Sequence, residues 1–270
     1  MQLVALMVML AVPCGAAEIQ VTSDPPLPAP NLIANAGFEE GEGDLPAQWH
    51  WGTAAPDNFE TQWTDRGHTG RAVYLKAEAS SMSGYWGQTV GVQPNTDYVL
   101  AGWFRLRGGK LLCYVHASPA GGPSVNERFY QLSLLNHSLV PVFLKPEYMR
   151  GLPDQWQPFR LPFHVPEKLT SVAVSAGMYF AAGEVLYDDF RLFRATTDLQ
   201  VKVQAPEGLT QVQVLAGDRK EPLFDSGPLK GDKQFERKLP GVSTETVYHV
   251  AVTTAGGQKV ARDYPAEVAP

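Results

Sequence analysis

The sequence predicts an almost entirely β protein built as two domains. The chain of 270 residues contains 25 glycines and 22 prolines, and its apolar residues recur in short alternating runs between these turn formers. Such alternation is typical of strands with one buried face, and only residues 127–136 show a weak helical pattern. Hydrophobic residues make up 44% of the chain and charged residues 19%, which is the composition of a globular protein.

The strands of the first domain are short runs separated by clusters of turn residues. Gly108-Gly109 is typical of a tight turn, so Leu111–His116 is predicted to pair back on Tyr98–Arg107 as a hairpin. Cys113 shares a face of this strand with Leu111 and Val115, which favours a buried thiol that acts as a small apolar side chain. The predicted strands cover residues 73–76, 88–92, 98–107, 111–116, 159–165, 171–179 and 184–193.

Composition sets the domain boundaries. Residues 1–17 hold an apolar run followed by small residues, which is typical of a cleaved export signal and too short to span a bilayer. Residues 18–30 are predicted to form an open, proline-rich spacer, and residues 31–194 form the first domain. Clean alternation between glycine turns predicts a smaller, immunoglobulin-like β-sandwich over residues 198–267. We therefore expect a secreted or extracytoplasmic protein, in the periplasm or at the cell surface.

Residues 117–155 form an unusually long connection within the first domain. Loops of this length are uncommon and often carry function, but an insertion that only packs over one end of the sandwich fits the sequence equally well. The second domain contains no tryptophan, and we expect it to act as a spacer or a packing partner.

Several classes of function are disfavoured by the composition. The net charge is −6 and no basic stripe with interleaved aromatic residues is present, so nucleic acid is not an expected partner. The chain has only two cysteines, one of them in the predicted signal, and therefore no disulfide framework. No nucleophile elbow, zinc-protease motif or phosphate loop occurs, and no carboxylate pair has a recognisable spacing, so we expect a protein that is not an enzyme.

Three segments of the first domain occur together in an informative order. They are Asn31–Gly41, with the sequence NLIANAGFEEG, then Gly70-Arg71-Ala72-Val73-Tyr74-Leu75, and finally Leu186–Leu192, with the sequence LYDDFRL. In sequence and spacing these segments resemble the jelly-roll carbohydrate-binding modules of families four, nine and twenty-two, within the galactose-binding-like superfamily. The resemblance covers residues 31–194, and it implies a jelly-roll β-sandwich that binds polysaccharide or glycan.

The closing segment carries a carboxylate whose placement points to a cation. Simple alternation over Leu186–Leu192 places Asp188 on the apolar side, facing the core. A buried carboxylate is costly unless it is paired or coordinates a metal, and few basic residues are available to pair with it. A hard cation with oxygen ligands is one solution, and hydrogen bonds from backbone amides are the other.

The resemblance implies that this cation is a structural calcium. The implied ligands are the side chains of Glu39 and Asp188, with backbone oxygens near Gly41 and Lys76 and with Asp189 as the substitute for Asp188.

Sugar recognition requires flat aromatic faces beside planar polar groups. The first domain holds all six tryptophans of the chain. Alternation along Tyr98–Arg107 places Trp103 and Arg105 on one face, which we predict to be the concave outer face of a sheet. The residues predicted to extend this platform, on a neighbouring strand or in loops, are Tyr85, Trp86, Trp51 and Trp63. Each of them has packing in the core as its alternative role.

The sequence therefore predicts an exported, non-catalytic protein that binds polysaccharide or glycan through aromatic side chains. The alternative is a structural or adhesive cell-surface module of the same fold that docks on protein partners. A long loop that fills the concave face would favour this alternative. The resemblance implies no particular sugar.

Overall fold

A computed structural model describes residues 16–78, 83–118, 122, 124–132 and 154–266, with side chains described for all of these except 129–132. The chain divides into two compact units. The inserted domain is Asn31–Ala195, and the composite domain joins the chain up to Pro30 with the chain from Thr196 onward. Residues 1–15 of the predicted export signal lie outside the described residues. No helix in the described ranges is long and apolar enough to cross a membrane.

Strands make up almost all of the regular structure in both units. The inserted domain contains β2 (Gly41–Glu42), β3 (Leu45–Pro46), β4 (His50–Thr53), β5 (Phe59–Thr64), β6 (Ala72–Ala77), β7 (Ser83–Gly91), β8 (Thr96–Arg107), β9 (Lys110–Ala117), β10 (Val125–Leu132), β11 (Trp156–Val165), β12 (Ser171–Tyr179) and β13 (Gly183–Arg194), with a 3-10 turn at Pro56–Asn58. The composite domain contains β1 (Glu18–Asp24), β14 (Thr196–Ala216), β15 (Phe224–Asp225), β16 (Asp232–Ser243), β17 (Tyr248–Thr254) and β18 (Lys259–Tyr264).

The inserted domain is a sandwich of two five-stranded antiparallel sheets, which confirms the predicted jelly-roll class. The β7 sheet has the order β10-β9-β12-β7-β4, and the β8 sheet has the order β11-β8-β13-β6-β5. Alternation along each strand directs one set of side chains into a shared core, which includes Leu75, Trp86, Phe104, Val174 and Tyr187. The other set faces outward, so the sandwich presents two outer faces.

The link between β8 and β9 is not the predicted hairpin. β8 pairs with β11 and β13, whereas β9 pairs with β10 and β12 in the opposite sheet. Gly108 and Gly109 both have positive φ, 78° and 84°, and carry the chain from one sheet to the other. Two glycines in sequence are compatible with either route. The alternating pattern correctly predicted that Cys113 is buried. Its side chain has no exposed surface, and this burial raises the pKa of the thiol.

The predicted long loop at 117–155 is partly a strand. Val125–Leu132 forms β10, paired residue by residue with β9, so the weak helical pattern that begins at Glu127 is wrong over this stretch. Residues 119–121, 123 and 133–153 of the predicted loop lie outside the described residues.

The predicted open spacer at 18–30 is wrong over its first half. Glu18–Asp24 forms β1 and pairs in continuous register with Asp198–Gln204 of β14. Ile19 and Val21 alternate with polar residues and are 5% and 6% exposed, in the core of the composite domain. The prolines that follow this segment favoured an open spacer, although residues 18–24 show the alternation that is typical of a strand. This composite domain is a six-stranded sheet arrangement centred on β14, and its immunoglobulin-like class stays a prediction.

Candidate functional site

The two outer faces of the inserted domain separate residues that the sequence placed together. Tyr85 lies on β7 and faces outward from the β7 sheet, here named the tyrosine face. Trp103 and Arg105 lie on β8 and face outward from the β8 sheet, here named the tryptophan face. The prediction that β7 and β8 are neighbours on one platform is therefore wrong, because these two strands belong to different sheets.

Trp86 was predicted to contact ligand, and this prediction is wrong. Its side chain is 1% exposed and belongs to the core between the sheets, because it alternates with the outward-facing Tyr85. Its ring packs against Trp51, with ring centroids 5.6 Å apart.

The tryptophan face is largely occupied by its own side chains. The imidazole of His68 stacks on the indole of Trp103, with centroids 3.9 Å apart and ring planes 12° apart. His68 Nδ1 lies 2.8 Å from Asp189 Oδ2, which fixes the imidazole in this position. Arg105 Nε donates to Asp154 Oδ1 at 2.9 Å. One face of the predicted platform is therefore already covered by a ring of the same domain.

Trp51 and Trp63, predicted to extend the platform, also have occupied rings. Trp51 packs edge-on against Phe59 with centroids 5.4 Å apart, and both contact the core. Trp63 Nε1 donates to the carbonyl oxygen of Phe38 at 2.6 Å, and the guanidinium of Arg71 lies 3.5 Å from the centroid of its ring. The structure brings neither tryptophan to Trp103 or Tyr85 in any contact it describes.

The tyrosine face carries an aromatic group that the sequence reasoning did not select. Tyr85 of β7 and Tyr114 of β9 meet edge to face, with ring centroids 5.1 Å apart. His116 stacks against Tyr114 with centroids 5.0 Å apart. All three side chains are half-buried and therefore present surface to solvent. The signal was available: if Cys113 faces the core, alternation turns Tyr114 and His116 outward.

Small residues form the floor of this face. The pairing register places Gly87 of β7, Ser175 of β12 and Tyr114 of β9 side by side in one row across the sheet. In the next row, Gly177 of β12 lies beside Tyr85, and a Cβ at this glycine would stand 2.6 Å from Tyr85 Cδ1. Glycine at 177 therefore lets the Tyr85 ring lean across β12 toward Tyr114.

His116 has an unusual electrostatic setting. Partial burial, together with the charge of Arg128 on β10, lowers the pKa of the His116 imidazole below its usual value. Its Nδ1 is buried and has no hydrogen-bond partner among the described residues. Because this nitrogen is buried, the part of His116 that a ligand could contact is the half-buried ring stacked beside Tyr114.

A hollow of about 300 Å³, lined by both polar and apolar residues, adjoins the β4 edge of the tyrosine face. His50 and Thr89 contribute outward-facing side chains to it, and Gln48 lies at its rim. Because His50 is directly opposite Gly87 in the register, the hollow continues the row that ends at Tyr114. The row therefore spans the sheet from β4 to β9, roughly 14 Å at 4.8 Å per strand.

The predicted carboxylate ligands Glu39 and Asp188 both contact the turn at residues 67–71, away from the tyrosine face. Asp188 is fully buried, but its position in the core was predicted wrongly. A bulge at Asp189, with φ of 50° and a register shift after Asp188, changes the alternation, so that Asp188 shares the outward side with Leu186. Burial raises the pKa of Asp188 to about 6, an effect opposed by hydrogen bonds from backbone amides, including that of Thr69.

Glu39, near the N-terminal end of the inserted domain, contacts the same turn as Asp188, which is near its C-terminal end. Its Oε1 accepts from the backbone N–H of Arg71 at 2.9 Å. The backbone oxygens of Gly70 and Arg71 both lie 2.7 Å from the point where a Cβ at Gly67 would stand, and Asp188 Oδ2 lies 2.8 Å from it. Carboxylate and carbonyl oxygens therefore converge on this turn, a donor set of the kind that calcium takes.

Two of the predicted backbone contributors lie elsewhere. Lys76 pairs with Glu184, whereas Val73 pairs with Tyr187 next to Asp188, so Lys76 is at the far end of β6. Its ammonium is engaged with Glu78 at 3.0 Å. Gly41 packs against the Trp63 ring and the carbonyl oxygen of Leu45. Within the described ranges, no three His, Cys, Asp or Glu side chains are grouped to hold a metal, so any cation at the turn would depend on backbone oxygens as well.

No protein-family model matches the chain. No curated protein matches it either. Similar solved structures include the enzymatically active domain of tailspike protein 4 of bacteriophage CBA120, with 12% identity and a TM-score of 0.45, covering 61% of this chain and 21% of that one. The chain thus spans about a fifth of the length of that tailspike domain.

Carbohydrate-binding modules are also among the similar structures. A family 61 module in complex with β-1,4-galactotriose has 21% identity and a TM-score of 0.39, covering 62% of this chain and 99% of that one. The CBM22-1 xylan-binding domain of Xyn10C from Paenibacillus barcinonensis has 13% identity and a TM-score of 0.38, covering 62% and 95%. At these values the similarity concerns the fold and carries no information about the ligand of this chain.

Proposed function

We propose that the inserted domain binds polysaccharide or glycan on the tyrosine face. The observation that carries this proposal is the half-buried group of Tyr85, Tyr114 and His116 above a floor of small residues. Aromatic faces bind the apolar C–H side of a sugar ring, and neighbouring polar groups bind its hydroxyl groups.

The geometry favours an extended chain over a single sugar. Small floor residues at Gly87 and Ser175 separate His50 on β4 from Tyr114 on β9. This row of small residues leads toward the hollow beside His50 and Gln48. A ligand that used both the tyrosines and the hollow would lie across the strands.

The role proposed for the tyrosine face is binding and not hydrolysis. Glycoside hydrolysis uses two carboxyl groups that flank the scissile bond. None of the outward-facing side chains described on the β7 sheet is Asp or Glu, as the sequences of β4, β7, β9, β10 and β12 show together with their alternation. The apolar run at the N-terminus supports export, where extracellular glycans are available.

A calcium ion at the turn 67–71 is a second part of the proposal. The supporting observation is the convergence of Glu39, Asp188 and the carbonyl oxygens of Gly70 and Arg71. The ion would neutralise a buried carboxylate and tie the N-terminal segment to β13, so its role would be to stabilise the fold.

Affinity electrophoresis against a panel of soluble polysaccharides, with and without EDTA, tests the function. We expect retardation by at least one polymer, and weaker retardation of Tyr85→Ala. Trp63→Ala is the control, because Trp63 lies on a different sheet, and its retardation should equal that of the wild type. No retardation by any polymer would refute glycan binding, and equal loss in the two variants would refute its assignment to the tyrosine face.

A further inference from the structure

The charges on the tyrosine face differ from those of the protein as a whole. The chain has 28 acidic and 22 basic residues, yet the described outward-facing side chains of the β7 sheet include no acidic residue. They do include the cations Lys110 on β9 and Arg128 on β10. This face is therefore basic on an acidic protein.

Lys110 lies on the tyrosine face, at the start of β9. It has no acidic partner in the described part of the chain. Its Nζ lies 4.5 Å from the centroid of the Tyr179 ring, at the end of β12. Partial burial lowers the pKa of this ammonium group, so its charge is poorly solvated. No described carboxylate lies within 4.0 Å of it, whereas Lys76, Lys202 and Lys238 all have such partners.

Arg128 lies beside Tyr114 on the neighbouring strand. It is directly opposite Tyr114 in the β9–β10 register, and its Nε donates to Asn126 Oδ1 at 2.9 Å, which holds the guanidinium along the face. Lys110 is four positions from Tyr114 along β9, roughly 13 Å at 3.3 Å per residue, and lies beyond the row that contains Tyr85. One cation therefore lies beyond the tyrosines along the strand direction, and the other lies beside Tyr114 on the neighbouring strand.

We propose that the ligand of the tyrosine face is an anionic polysaccharide, with carboxylate or sulfate groups that pair with Lys110 and Arg128 while its rings contact Tyr85 and Tyr114. This inference rests on the proposed glycan binding and specifies its substrate class. Ammonium and guanidinium groups form charge-assisted hydrogen bonds with carboxylate and sulfate oxygens. A basic face on a protein of net charge −6 also orients the molecule toward a polyanion.

Charged polymers and their neutral counterparts test the anionic class of the ligand separately from glycan binding itself. The probes are polygalacturonate, the same polymer after carboxyl reduction, dextran sulfate, neutral dextran, and polyglutamate as a polyanion without sugar. We expect polygalacturonate or dextran sulfate to bind at least about tenfold more tightly than its neutral counterpart, since a hydrogen bond to a charged group contributes this much. The arm that binds identifies carboxylate or sulfate as the recognised group.

Three results would overturn the inference. Equal binding of a charged polymer and its neutral counterpart would leave glycan binding intact but remove the anionic class. Equal binding of polyglutamate would show general charge attraction without sugar recognition. Failure of all the polymers, and of a wider neutral panel, would remove both the inference and the proposed function.

A charge-matched pair of variants locates the effect. Lys110→Gln is expected to lose roughly tenfold in affinity for the charged polymer and nothing for a neutral one, and Lys110→Arg is expected to restore binding. Lys259→Gln makes the same change of charge on an exposed strand of the composite domain and should bind as the wild type does. Unchanged melting temperatures establish that all three variants are folded. If Lys110→Gln bound the anionic polymer normally, the proposed role of this face in charge recognition would be refuted.

Discussion

The pairing of β1 with β14 makes the stability of the composite domain depend on residues that precede the inserted domain. Ile19 is 5% exposed and packs in the core of the composite domain, which also includes Val201 and Val250. Truncation of a buried isoleucine to alanine costs about 2–5 kcal/mol, and the lower end applies here because β1 is an edge strand. At about 4–8 °C per kcal/mol for a domain of this size, Ile19→Ala should lower the melting temperature of the composite domain by roughly 8–16 °C.

The distribution of tryptophan makes the assay specific. All six tryptophans lie between residues 49 and 156, in the inserted domain, so tryptophan fluorescence follows that domain and calorimetry follows both. Ile19→Ala should shift one calorimetric transition and leave the fluorescence transition unchanged. Thr22→Ala, on the exposed side of β1, is the control and should shift neither. No calorimetric shift in Ile19→Ala, or an equal shift in Thr22→Ala, would refute the placement of β1 in the composite domain.

Three further predictions concern the inserted domain. Calcium added to chelator-treated protein should raise its melting temperature, and Glu39→Gln should remove that rise; an undiminished rise in the variant would place the ion elsewhere. Trp86→Ala should cost about 3–5 kcal/mol in urea denaturation, because the ring is fully buried, and a near-neutral effect would contradict the core position. The pKa of His116 is lowered in the folded state, so folding favours the neutral imidazole. The stability that this preference contributes is present above pH 6.5, the usual pKa of histidine, and is lost as the pH falls through the folded-state pKa. His116→Gln should therefore lose less stability than the wild type between pH 7 and pH 5 in thermal denaturation, and parallel losses would contradict the lowered pKa.

The strands of the inserted domain were predictable because alternation is a local property. Runs such as 171–179 and 184–193 coincide with β12 and β13 within a residue or two. The assignment of a strand to a sheet is not local. A turn at Gly108-Gly109 can close a hairpin or cross between sheets, and only the pairing of β8 with β13 and of β9 with β12 decides between these routes.

The candidate site was misplaced for the same reason. Trp103 and Arg105 do face outward together, as their alternation predicted, but Tyr85 faces outward from the opposite sheet. Trp86 was predicted to contact ligand because it is a large aromatic residue. Its alternation with Tyr85 allows only one of the two side chains to be exposed, and that one is Tyr85. The outward position of Tyr114 followed from the buried position of Cys113, and the sequence pattern contained both.

The acidic site shows what a single bulge changes. Glu39 and Asp188 were predicted to lie at one site, and both reach the turn at 67–71. Strict alternation then placed Asp188 in the core, because a register shift after Asp188 cannot be read from an alternating pattern. Lys76 was predicted to contribute a backbone oxygen to the same site. It lies at the end of β6 that is distant from Asp188.

The most direct test of the proposed binding site compares the two outer faces of the inserted domain. Tyr114→Ala removes the central ring of the tyrosine face, and Trp103→Ala removes the equivalent ring of the tryptophan face. Affinity electrophoresis of both variants should be run against the polysaccharide that retards the wild-type protein most strongly. We expect Tyr114→Ala to lose about tenfold or more in affinity, because a stacking surface is lost, and Trp103→Ala to bind as the wild type does. Loss of binding in Trp103→Ala with normal binding in Tyr114→Ala would contradict the proposed site and assign the sugar to the tryptophan face.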